Sequence, residues 1–166
     1  MSTRAHPRLL LDVNVWIALL DDAHVHNGAA LTLFQTSKLP VATCPLVENC
    51  VLRVLNLPGY SQPGPAGFEA VRAKMALACA DVDHQFWSGN ISLRTDGLVN
   101  WSRVLGHGQI TDLYLLALAV AHQGALATFD HRIALNAIVN ADKRHLVFYK
   151  KSVYSTPNVL GKLLNL

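Results

Sequence analysis

At 166 residues, 51% hydrophobic and 15% charged, the chain is expected to fold as one domain around a substantial core, which excludes a disordered segment. Net charge is +3, a mild excess gathered late in the chain at Lys143-Arg144, Lys150-Lys151 and Lys162, and by itself it selects no partner. No apolar run reaches bilayer length, and residues 1–7 carry no apolar stretch of signal-peptide size before Asp12, so a cytoplasmic protein with no membrane segment is expected.

Residues 9–11 read as a short buried strand and 14–20 as the helix or turn after it. A second amphipathic stretch covers 26–37, and 40–43 form the next strand. Pro45, suited to the first helical position, opens a helix to about residue 55. With Cys44 as its cap, Glu48 falls at the fourth helical position, too far in to be a capping-box acid. Segment 58–67 has the densest chain breakers and is loop. Residues 67–80 follow as a helix with Phe68, Val71, Met75 and Ala78 on one side, and 97–105 as another. Apolar nearly all round, 110–121 has the pattern of a buried helix, with Thr111 as candidate cap and Asp112 in the first turn, where the helix dipole favours a carboxylate. Residues 125–129 and 145–149 are the last strands, with a helical tail near 158–164. Strands alternating with helices predict an α/β sandwich around a mostly parallel sheet.

Four acids interrupt apolar runs in this layout. Asp12 closes Leu9-Leu10-Leu11, Glu48 sits inside 45–52, Asp112 opens 113–121 and Asp130 closes 125–129. Several ionised carboxylates buried together repel one another unless a cation lies among them, so the four are read as one metal site. Local rules account for the other acids. Asp21, Asp22 and Asp96 belong to turns, Asp81 and Asp83 flank a polar break, Asp142 leads into Lys143-Arg144, and Glu69 has Arg72 three residues on. Glu48, by contrast, finds its first cation at Arg53, five residues away and off its face.

Topology gathers three of the four. Ligands of open α/β sheets bind outside the carboxyl ends of the strands, where Asp12 and Asp130 each stand, and Asp112 starts the helix that leads back into the Asp130 strand. Cys44, Cys50 and Cys79 show no C-x-x-C spacing and read as small core residues, and His24-x-His26 as a solvated turn. Hard oxygen donors dominate. With four carboxylates in one pocket the remaining surface is more basic than the net charge suggests, which suits a polyanion.

Leu9-Leu10-Leu11-Asp12-Val13-Asn14-Val15-Trp16-Ile17-Ala18-Leu19-Leu20, the Glu48-x-x-x-Leu52-Arg53-Val54-Leu55 block, Thr111-Asp112-Leu113-Tyr114-Leu115-Leu116-Ala117-Leu118-Ala119 and Thr128-Phe129-Asp130 resemble the PIN domain, and more narrowly the VapC toxins. The resemblance covers nearly the whole chain in order and spacing, as a single PIN domain over 1–166. It implies a PIN-like three-layer α/β sandwich with a central mostly parallel sheet. It also implies that Asp12, Glu48, Asp112 and Asp130 form the catalytic, metal-holding quartet, with Asn14 and Thr111 as polar neighbours. The activity implied is that of an endoribonuclease using Mg²⁺ or Mn²⁺, a homodimer held inactive by a cognate VapB-type antitoxin. Segment 58–67 matches no motif of the family.

Mg²⁺ keeps several waters and is usually held by one or two carboxylates, so four acids suggest one tightly held ion, with the others orienting water or recruiting a second ion. Asp12 and Asp112 are expected as the firmest ligands, with Glu48 and Asp130 binding directly or through water; Arg53 and Arg132 are candidate RNA phosphate contacts. A phosphatase of the haloacid-dehalogenase type would need a second Asp where Asn14 stands. Two alternatives stay open: an RNA-processing PIN nuclease outside a toxin–antitoxin pair, and a non-cleaving RNA-binding scaffold, against which the intact quartet argues. The sequence does not select the RNA, because phosphate contacts position a strand whereas base contacts and shape choose it.

Overall fold

In the computed structural model, which describes residues 7–36, 40–60 and 66–149, five parallel strands lie in the order β3-β2-β1-β4-β5. They are β1 Leu9–Leu11, β2 Val41–Thr43, β3 His84–Phe86, β4 Ala125–Thr128 and β5 Leu146–Phe148. Every residue of β1, β2 and β4 is buried, as expected of central parallel strands covered on both faces. Leu9 stands between Val41 and Ala125, Leu10 between Ala42 and Leu126. This is the α/β sandwich with a parallel sheet that the sequence predicts.

Among the described residues five helices cover the sheet: α1 Val13–Leu20, α2 Asn27–Thr36, α3 Pro45–Val54, α4 Phe68–Ala80 and α5 Ile110–Ala121. The first and second form a hairpin. Trp16, fully buried on α1, meets Phe34 of α2 edge-on at 6.2 Å, and the buried Asn27 amide donates to Ala18 O at 2.8 Å, so the turn between them carries its own polar clamp. α5 packs on β4 and β1, and its six buried residues include Leu113, Leu115, Leu116 and Leu118. At the α5–β4 junction a side chain on Gly124 would meet Arg8 O and the Trp87 ring, both at 2.6 Å. Only glycine lets β4 start this close to the backbone that precedes β1, where Ala125 N donates to Arg8 O.

The structure revises several expected elements. Residues 97–105 are not a helix: Val99 bridges to Ile138, Asn100 N donates to Ala137 O and Val139 N to Leu98 O, leaving one 3-10 turn at Trp101–Arg103. Gly97 at φ +76 and the exposed Trp101 and Leu105 explain why no helical face forms there. The polar break around 81–86 contains β3, an exposed edge strand whose His84-Gln85-Phe86 gives no apolar run to read. Phe68 is 67% exposed while Val71, Met75 and Ala78 are buried, so the first turn of α4 stands off the core. Thr111 is not a cap, because α5 already begins at Ile110, continuous with a 3-10 turn at His107–Gln109. Cys44 is the residue before α3 and Pro45 its first, although no side chain caps that end. The tail at 158–164 and residues 61–65 of the breaker-rich loop lie outside the described residues.

Candidate metal and nuclease site

Asp12 leaves β1 still tied to the sheet, its N–H donating to Ala127 O at 2.9 Å, and then turns to cap α1. Its Oδ1 accepts from Val13 N at 2.6 Å and its Oδ2 from the Thr128 hydroxyl at 2.7 Å. Burial raises its pKa above the ordinary value and the charge of Asp130 adds to the rise; the two hydrogen bonds oppose both. Thr128, fully buried at the end of β4, also accepts from Asp130 N at 3.0 Å and lies 3.5 Å from Asn14 Nδ2. One hydroxyl thus sets Asp12, Asp130 and Asn14 relative to one another. Nothing in the acid pattern singles out Thr128; its only signal is a hydroxyl closing the wholly apolar Ala125-Leu126-Ala127.

Asp112 enters from the first turn of α5. Burial, then the charges of Asp12 and Asp130, push its pKa up to about 6, and only Arg132 acts against them. Gln109 fixes the approach of this helix by accepting from Leu105 N at 2.8 Å and reaching Arg132 O at 3.4 Å. Asp130 differs: the guanidinium of Arg132 forks onto it at 3.0 and 2.8 Å and holds its carboxyl below the usual value. Arg132 itself is 88% exposed.

Asp12, Asp112 and Asp130 are therefore one electrostatic group at the carboxyl edge of β1 and β4. Among the described residues no three His, Cys, Asp or Glu side chains are grouped closely enough to hold a metal ion as they stand. Asn14 Oδ1 is buried beside Asp12 with no hydrogen-bond donor among the described residues, an acceptor left over in a pocket of acceptors.

Glu48 faces elsewhere. Its Oε1 accepts from the buried Thr43 hydroxyl at the end of β2, at 2.8 Å, and Thr43 lies 2.9 Å from His84 Nε2. Glu48 and His84 line a cleft of about 250 Å³ with Leu52, Arg72, Met75, Ala76 and Cys79. Burial, with the Glu48 charge, pushes the Cys79 thiol up to about 11. Thr111 is exposed at the start of α5, and Arg53 is exposed in the last turn of α3. Lys143-Arg144 precede β5 and so stand at the amino edge of the sheet, opposite the aspartates, with Arg144 paired to Asp142. Lys150-Lys151 and Lys162 lie outside the described residues.

Residues 9–139, which contain all four acids, match the PIN domain family. Ribonuclease VapC44 of Mycobacterium tuberculosis is 41% identical over 140 residues, covering 84% of this chain and 97% of the relative. The chain belongs to the VapC family of PIN-domain proteins. Ribonuclease VapC29 of the same organism is a second VapC relative, 36% identical over 76% of this chain and 88% of its own length. The fold is shared with the crystal structure of VapBC2 from Rickettsia felis bound to a DNA fragment from their promoter, with TM-score 0.53 and 15% identity over 86% of this chain and 98% of that one. The sheet of this VapC-family chain delivers Asp12 and Asp130 from adjacent parallel strands and Asp112 from the helix between them in the chain.

Proposed function

We propose that this VapC-family ribonuclease hydrolyses RNA phosphodiesters with a divalent cation, Mg²⁺ or Mn²⁺, held by Asp12 and Asp112 with Asp130 and Glu48 completing the acidic set. The observation that carries the reading is Asp112, whose pKa is raised to about 6 by burial and by two neighbouring aspartates. Such a group is poorly placed for folding and well placed for a cation. The donors are hard oxygens, and the unpartnered Asn14 Oδ1 adds another, so the set fits Mg²⁺ or Mn²⁺ better than a thiophilic metal.

When bound, the cation supplies a water of lowered pKa and neutralises charge on the phosphodiester. Thr128 holds the Asp12 carboxylate in one orientation, so that this acid need not reorganise when substrate arrives. Asp112 accepts no hydrogen bond from any described residue, which leaves both its oxygens to hold the cation or to orient the attacking water. Arg132 can exchange the Asp130 carboxylate for a phosphate, since its fork matches either anion. Glu48, whose Oε1 accepts from Thr43, would have to leave that hydrogen bond to join the group. Incubating purified protein with total cellular RNA and mapping the new ends tests this. Discrete ends with Mn²⁺ and none with chelator are expected, and RNA left intact under both conditions would refute it.

RNA affinity should fall with added salt, because phosphate contacts release counterions. Arg132→Ala should lower the salt slope by about one. An unchanged slope in filter-binding titrations would remove Arg132 from the RNA surface.

The protein acts in the cytosol, where a VapB-type antitoxin holds it inactive, as its VapC membership leads one to expect. It works as a homodimer, a reading supported by the exposed apolar residues Phe68, Leu77, Trp101 and Leu105. Sedimentation at micromolar concentration should give the dimer mass. A monomer would remove this claim alone.

A further inference from the structure

Beyond Asp130 the chain places a second kind of chemistry. His131 lies against Phe148, the last residue of β5, with ring centroids 4.7 Å apart and planes 30° from parallel. Both are exposed, Phe148 by 40%. Phe148 pairs in the sheet with Thr128, the hydroxyl that orders Asp12 and Asp130, so the ring pair stands at the same carboxyl edge as the aspartates.

The alternation of β5 explains why only one ring is presented outward. Tyr149, next in the chain, points the other way and meets Phe129 edge-on at 6.0 Å, while His26 stacks on Phe129 at 4.6 Å. Phe129 is thereby held from two sides, which fixes the turn that displays Asp130, His131 and Arg132 in succession. Imidazole and phenyl thus form an exposed aromatic ledge next to the Asp130–Arg132 ion pair, whose guanidinium is paired on one side and otherwise open to solvent.

We propose that the His131–Phe148 pair is a stacking ledge for an unpaired nucleobase of a single-stranded RNA, seating the nucleotide next to the phosphate presented to Asp12, Asp112 and Asp130. The assignment rests on the nuclease reading above and adds the residues that grip a base beside the reacting phosphate. Unstacked bases are commonly bound on aromatic planes, and Arg132 supplies the adjacent positive charge for the backbone. The basic pair Lys143-Arg144 is at the wrong edge of the sheet to do this.

The test uses the full chain carrying Asp112→Asn, so that RNA is bound and not cut, and an end-labelled, unstructured RNA oligonucleotide read by fluorescence anisotropy. Phe148→Ala should weaken binding about tenfold, within the range of one base–aromatic stack, and His131→Ala should do so by a smaller factor. Phe148→Trp should restore the loss, and the loss should be the same at low and high salt, unlike that of Arg132→Ala. An abasic nucleotide walked along the oligonucleotide should reproduce the loss at one position, and should cost nothing there in Phe148→Ala. His131 is an exposed turn residue, so its variant decides the matter even if Phe148→Ala folds poorly. Unchanged affinity in both variants overturns the ledge, and if wild type still cuts the same RNA with Mn²⁺ the nuclease reading survives it. A wild type that cuts no RNA with Mn²⁺ removes both.

Discussion

Asp112→Asn is expected to lower RNA cleavage by about a thousandfold, the loss of several kcal/mol of charge stabilisation in the transition state. The same substitution should leave the metal-free protein at least as stable as wild type, because it removes a charge that burial and two aspartates oppose while keeping the side-chain shape. The sign with pH follows. In the folded chain Asp112 keeps its proton to about 6, against 3.8 as the ordinary value. Between those values the native state therefore holds more protons than the unfolded one, and its stability falls as pH rises. The variant lacks this loss, so in chelator its melting temperature should gain on wild type from about pH 4 to about pH 6. A variant that melts lower throughout would make Asp112 a structural acid. Asp12→Asn is a less clean probe: it loses the same charge, but Asp12 also caps α1 and accepts the Thr128 hydrogen bond.

Expression of the wild-type chain by itself should arrest growth, and expression of Asp112→Asn at the same level should not. Co-expression of a small protein encoded immediately upstream should relieve the arrest. The contrast between wild type and variant separates a toxic activity from the burden of making protein. Harmless accumulation of active wild type would favour an RNA-processing nuclease over a toxin.

Much of this was legible in the sequence because parallel strands buried on both faces leave apolar runs, and acids that end such runs are conspicuous. Leu9-Leu10-Leu11-Asp12 gives both a central strand and a candidate site residue. Asp112 and Asp130 follow from the connection through α5. Edge structure was harder. His84-Gln85-Phe86 forms a strand by completing the ladder of β2 rather than by apolar pattern, and 97–105 trades a helix for pairing with the segment around Ile138. Thr43 and Thr128 look like ordinary strand residues until their hydroxyls are seen to orient Glu48 and Asp12. Nor could the sequence show that the late basic residues divide, with Arg132 at the acids and Lys143-Arg144 across the sheet.

On the reading proposed above, the aspartates crowd one another because a cation belongs among them. Thermal melting of wild type and Asp112→Asn, each with chelator and with Mn²⁺, tests it most directly. An ion that binds only the folded state at about a hundred times its dissociation constant adds about 2.7 kcal/mol. For a domain of this size that is a rise of roughly 5–10 °C in wild type. That rise is expected in wild type, with most of it lost in Asp112→Asn. A wild type whose melting ignores Mn²⁺, beside a variant destabilised in chelator, would contradict it.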